Sequence, residues 1–147
     1  VENQSITKNF KFYPLGLGGK DGTMNFFPPL RESSTHFSPV KRYYEDDRDV
    51  ITAPVKSLTS IASDLGHNHI DLLKMDIEGA EYEVIDSLQT SKITIDQILV
   101  EFHHMYKGIP IERTIDAIEK LKEMGFELFN ISQRTYEFSF IRKNLNL

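Results

Sequence analysis

Cysteine and tryptophan are both missing from this 147-residue sequence. Without cysteine there is no disulfide framework, no thiolate zinc site and no cysteine nucleophile. The absence is compatible with a reducing compartment, and the cytoplasm is the expected location. Basic residues are in short supply: 17 Lys and Arg stand against 22 Asp and Glu, a formal net charge of -5. Binding to a phosphate backbone normally calls for clustered Lys and Arg, so no nucleic-acid partner is expected. Long apolar runs are lacking too. None approaches the ~18 residues of a membrane-spanning helix, and no signal peptide is recognisable. The densest charge cluster, Tyr43 to Asp49, is mostly acidic and reads as a solvated loop.

What remains is ordinary globular material, 39% hydrophobic and 27% charged, which excludes disorder and low-complexity scaffolds. The length suggests one domain. Hydrophobic spacing alternates strands with helices. Phe10 to Leu15 is expected as a strand, and Thr23 to Phe27 as a short one. Residues 28–49 show no period and carry three prolines; a loop this long is usually functional or mobile. Ser57 caps a helix in which Leu58, Ile61, Ala62 and Leu65 share a face and Gly66 marks the stop. Ile70 to Met75 is expected as a strand buried on both faces. A helix from about Gly79 or Ala80 to Leu88 should turn Ala80, Val84, Ile85 and Leu88 inward. Ile98 to Phe102 is another strand. The helix opened by Pro110 should face Ile111, Ile115, Ile118 and Leu121 inward and stop at Gly125. Phe126 to Asn130 and Tyr136 to Arg142 are expected to close the chain as an antiparallel hairpin. The fold class is therefore α/β with a mostly parallel sheet.

In such folds function gathers at the carboxyl ends of the strands, and three of these ends carry candidates. The segment YPLGLGGKDG, Tyr13 to Gly22, is rich in glycine, which serves either a ligand approached by backbone or a plain turn. The segment LLKMDIEGAEYEVI, Leu72 to Ile85, runs a buried strand into Asp76, Glu78 and Glu81. Glu78 and Glu81 also fit as ordinary acids at a helix N-terminus. Asp76, leaving the core on a strand, needs a partner or a ligand. The segment QILVEFHH, Gln97 to His104, puts Glu101 in an apolar strand with His103 just beyond. Asp76, Glu78, Glu101 and His103 together suit general acid–base chemistry. An oxygen/imidazole metal site is the competing option, but the spacing matches no strong metal motif and no metal is expected.

The strings LLKMDIEGAEYEVI and QILVEFHH, with YPLGLGGKDG and the VKSLTSIASDLG helix before them, resemble the FkbM family of S-adenosylmethionine-dependent methyltransferases. The resemblance covers most of Phe10 to Arg142. It implies a class I, Rossmann-like sheet in the strand order 3-2-1-4-5-7-6 with the last strand antiparallel. It also implies S-adenosyl-L-methionine as cofactor, with Gly16, Leu17, Met75 and Asp76 near it. The sequence departs from the family pattern in one respect: strands one and two, with the glycine-rich cofactor loop and the ribose-binding acid, do not precede Phe10. The expectation is that 1–147 is the C-terminal part of one methyltransferase domain, strands three to seven, inactive by itself; the start at Val1 rather than Met agrees.

The implied reaction is O-methylation of a sugar or other small-molecule hydroxyl. His103 is expected as the base, Glu101 or Asp76 as the acid that orients or stabilises it, and Glu78 and Glu81 as acceptor-binding groups. The loop over 28–49 is expected to shape or cover the acceptor pocket. Two other functions stay open: a non-catalytic Rossmann-like module, and a metal-assisted hydrolase or glycosyltransferase built on Asp76 and Glu78.

Overall fold

The computed structural model describes residues 10–29, 37–41 and 50–143. Ten elements follow one another along them: β1 (Gly16–Leu17), β2 (Gly22–Phe26), β3 (Ile51–Lys56), α1 (Leu58–Leu65), β4 (His69–Met75), α2 (Glu81–Leu88), β5 (Thr94–Glu101), α3 (Ile111–Glu123), β6 (Phe126–Ile131) and β7 (Glu137–Arg142). They build two sheets. A small one has the order β1-β3-β2, and a four-stranded one has the order β4-β5-β7-β6. β4 pairs with β5 in parallel, Met75 lying beside Val100, whereas β7 runs antiparallel to both β5 and β6. The expected fourth-fifth-seventh-sixth run of strands is therefore present. The mostly parallel character is not: only β1–β3 and β4–β5 are parallel among the described pairings. Of the three antiparallel pairs, β6–β7 is a hairpin whose short connection forces that geometry, and it sets β7 antiparallel against β5.

The core forms where the apolar faces of α2 and α3 meet the larger sheet. Val84, Ile85, Ile98, Phe102, Leu121 and Phe140 are all fully buried. α1 and α2 follow their hydrophobic periods. In α1 the Ser57 side chain accepts from the Ser60 N–H, and Gly66 ends the helix in the left-handed region at φ 69°. The expected inner face of α2 is buried throughout.

Three expectations need correction, and one strand was not expected. Phe10 to Leu15 is not a strand; pairing is confined to Gly16 and Leu17, while Phe10 and Phe12 are exposed. Ile51–Lys56 is a strand that the Pro54 within it disguised; it lies between β1 and β2. β4 is not buried on both faces. Leu73 and Met75 are buried but Leu72 is 50% exposed, because β4 is an edge strand whose one partner among the described residues is β5. The inner face of α3 is Thr114, Ala117 and Leu121, leaving Ile111 and Ile115 about half exposed. Polar contacts set that phase: the Thr114 hydroxyl lies 3.1 Å from the Tyr82 hydroxyl and 3.1 Å from Nδ1 of His104.

Of the expected covering loop, only 28, 29 and 37–41 are described. Phe27 and Ser38 form an antiparallel bridge there, and Val40 packs against the core. The acidic cluster at 43–49 lies outside the described residues.

Candidate functional site

The parallel pair β4–β5 delivers two chain segments to the same sheet end. β4 stops at Met75, so Asp76 is the first residue off the strand, and β5 stops at Glu101, two residues before His103. The β4–α2 connection is unusually bent. Glu78 has φ 56° and Gly79 has φ 111°, both in the left-handed region that side chains other than glycine rarely adopt. A Cβ on Gly79 would come 2.6 Å from Cγ2 of Val40, so glycine is also the residue that lets the 37–41 segment close over this turn. The bend carries Asp76 and Glu78 back toward His103.

His103 is nearly fully buried, an uncommon state for a titratable side chain. Its Nε2 lies 3.6 Å from Oε2 of Glu78 and 3.8 Å from Oδ1 of Asp76. Its Nδ1 lies 2.9 Å from Oε1 of Glu81. Burial disfavours the charged imidazole. Contact with Glu81, reinforced by the charges of Glu78 and Glu101, outweighs it and holds His103 above its ordinary value. Glu101 is also raised, by burial first and by the negative charge of Asp76 second. It makes no ion pair with His103 among the described residues, so it acts on His103 through its field and does not orient it.

The expected acids therefore separate by environment. Asp76 is 41% exposed and Glu78 14%, and both face the open side of His103. Glu81 is 0% exposed, which corrects its expected role: a carboxylate sealed in the core does not touch an acceptor. It instead accepts from the Ile77 N–H at 3.0 Å and from the Gly79 N–H at 3.1 and 3.2 Å, in place of a side-chain cap on α2.

Tyr106 and Ser38 belong to the site and were not expected from the sequence. Tyr106 donates its hydroxyl to Oε2 of Glu78, and its ring centroid lies 4.9 Å from that of His103. A turn places it there, with the Tyr106 N–H bonded to the His103 carbonyl. An aromatic hydroxyl three residues beyond a candidate base is a signal that could have been read. Ser38 reaches the Glu78 carbonyl from far away in sequence, and nothing local announces that.

Of the residues expected near a cofactor, Met75 is buried beneath the strand end, and Asp76 is accessible. Gly16 and Leu17 lie in β1 beside Val55 and Lys56. Tight packing accounts for part of the glycine segment: a Cβ on Gly16 would meet Val55 at 2.8 Å, and one on Gly19 would meet the Glu83 carbonyl of α2 at 2.7 Å. S-adenosylmethionine carries a sulfonium and an ammonium group, and the accessible carboxylate of Asp76 in an acid-rich strand end suits such cations. The donor atoms of Asp76, Glu78 and His103 also lie within 4.8 Å of one another, close enough to share a metal ion.

Comparison with known proteins shows the family. The family profile described as Methyltransferase FkbM domain matches residues 2–128. The probable methyltransferase-like protein 24 of Rattus norvegicus is 25% identical over 165 aligned residues, covering 88% of this chain and 45% of the relative. That of Homo sapiens is 28% identical over 163, covering 88% and 44%. The chain thus spans a little under half the length of these curated relatives. No solved structure matches. Because that profile matches most of its length, the chain belongs to the FkbM methyltransferase family.

Proposed function

We propose that this chain carries the acceptor-activating half of an S-adenosylmethionine-dependent O-methyltransferase acting on a hydroxyl of a sugar or other small polyol. The observation that supports it most is the placement of His103 Nε2, turned between the Asp76 and Glu78 carboxylates at the ends of β4 and β5. When bound, the cofactor supplies an electrophilic methyl group. The protein supplies the rest. A neutral hydroxyl has to lose its proton as it attacks, and Nε2 of His103 is the base positioned to take it. Asp76 and Glu78 accept hydrogen bonds from neighbouring hydroxyls and hold the acceptor oxygen in place, converting binding into rate. Tyr106 steadies Glu78.

The same reading puts the cofactor-binding strands beside β4. Its support is the unpaired outer edge of β4 among the described residues, the half-exposed Leu72, and the division of β3 and β4 between two sheets. The experiment is transfer of a labelled methyl group from S-adenosylmethionine to a panel of polyols by the full protein. Labelled hydroxyl ethers support the proposal, and label appearing only on nitrogen or carbon rejects the acceptor class.

A second reading has one observation behind it, the shared reach of Asp76, Glu78 and His103 toward a single cation. A divalent ion there would serve metal-assisted hydrolysis or glycosyl transfer. Activity abolished by a chelator favours this reading, and methyl transfer indifferent to the chelator favours base catalysis.

A further inference from the structure

We infer that Glu81 is the positioning residue of this site, fixing which nitrogen of His103 carries the proton: Nδ1–H faces Glu81, and the Nε2 lone pair faces the opening between Asp76 and Glu78. The use made of that lone pair rests on the proposed methyl transfer; the placement of the proton does not.

The geometry leaves little freedom. Oε1 of Glu81 is 2.9 Å from Nδ1, and both side chains are buried. A carboxylate only accepts hydrogen bonds, so a lone pair on Nδ1 would face the lone pairs of Oε1 in a setting with no water to separate them. A proton on Nδ1 removes that conflict. The contact is off-line for a straight hydrogen bond, and Nδ1 has no other partner, so Glu81 is the one acceptor available to it. The opposite nitrogen makes no hydrogen bond among the described residues; Glu78 and Asp76 stand back at 3.6 and 3.8 Å, distances that leave room for an incoming hydroxyl.

Glu81 is itself held. Its two oxygens take the backbone N–H groups of Ile77 and Gly79, and these point inward because the turn passes through positive φ at Glu78 and Gly79. The logic matches other imidazoles whose working nitrogen is set by a carboxylate on the far nitrogen. It also separates Glu81 from the other acids around the ring. Asp76 and Glu78 from the β4–α2 turn, Glu101 from β5 and the Tyr106 ring face His103 from other directions, and among the described residues only Glu81 approaches Nδ1. The neighbouring His104 bonds Thr114 instead.

Long-range proton–nitrogen NMR on the protein reads the tautomer directly. Neutral His103 is expected almost wholly as the Nδ1–H form, and a dominant Nε2–H form overturns the inference. No variant is needed for this step, so a misfolded mutant cannot hide the answer. The second step uses Glu81→Gln, which keeps the shape and removes the charge. His103 then loses its proton at lower pH than in the wild type; an unmoved titration shows that Glu81 only caps the turn. If the tautomer is as stated but no methyl transfer is ever found, the positioning stands and the proposed function fails. If methyl transfer occurs with the proton on Nε2, the positioning fails and the function stands.

Discussion

Ser38 donates its hydroxyl to the carbonyl oxygen of Glu78 at 2.6 Å, a bond that spans forty residues of chain. The Ser38 hydroxyl oxygen in turn accepts from the Val40 N–H at 3.1 Å, and the backbone of Ser38 is bridged in both directions to Phe27 just past the end of β2. The small sheet is thereby tied to the turn that presents Glu78 and Gly79. Ser38→Ala leaves a part-buried carbonyl and a part-buried N–H without their partner, at a cost of about 1–3 kcal/mol. A lower denaturant midpoint with unchanged slope is the expected result.

Gly79 combines φ 111° with Val40 at 2.6 Å and Ile109 at 3.3 Å from any added Cβ. Gly79→Ala therefore meets backbone strain and a clash together. We expect a loss of about 2–4 kcal/mol, larger than that of Ser38→Ala, measured by the same denaturation. A neutral result would show that the turn relaxes without the glycine.

Thr114 shares its hydroxyl with Tyr82 and His104 inside the core. Thr114→Val keeps the shape and strands both partners. The expected destabilisation is about 1–2 kcal/mol, and it tests why α3 turns this face inward and not the isoleucines at 111 and 115.

Those isoleucines show where sequence reasoning reaches its limit. Ser57 and Gly66 gave both ends of α1, and the alternation of Phe138 and Phe140 with Glu137 and Ser139 gave β7, because caps and strand periods are local signals. The phase of α3 depends on hydroxyl partners in other elements. β3 is hidden by the proline within it, and the burial of β4 depends on what lies along its edge. The site divides the same way. The meeting of Asp76, Glu78 and His103 is legible because parallel strand ends bring their following residues together. The roles of Glu81, Tyr106 and Ser38 arise from a turn with two positive φ values and from a long-range contact, neither of which has a local signature in composition or spacing.

The raised value of His103 gives pH effects of opposite sign. Its contribution to stability is fully present below the ordinary histidine value of about 6.5 and is lost as pH rises through the folded-state value. Base catalysis needs the neutral ring, so turnover in the full protein should increase with pH through a midpoint above about 6.5. A pH–rate profile and denaturation at several pH values check the two together. Turnover that falls across that window contradicts His103 as base.

The most direct test is His103→Ala in the full protein, with turnover and S-adenosylmethionine affinity measured side by side. The account predicts turnover lower by about 10²–10⁴-fold, with affinity for the cofactor nearly unchanged. Turnover equal to that of the wild type would remove His103 from the chemistry and with it the central claim.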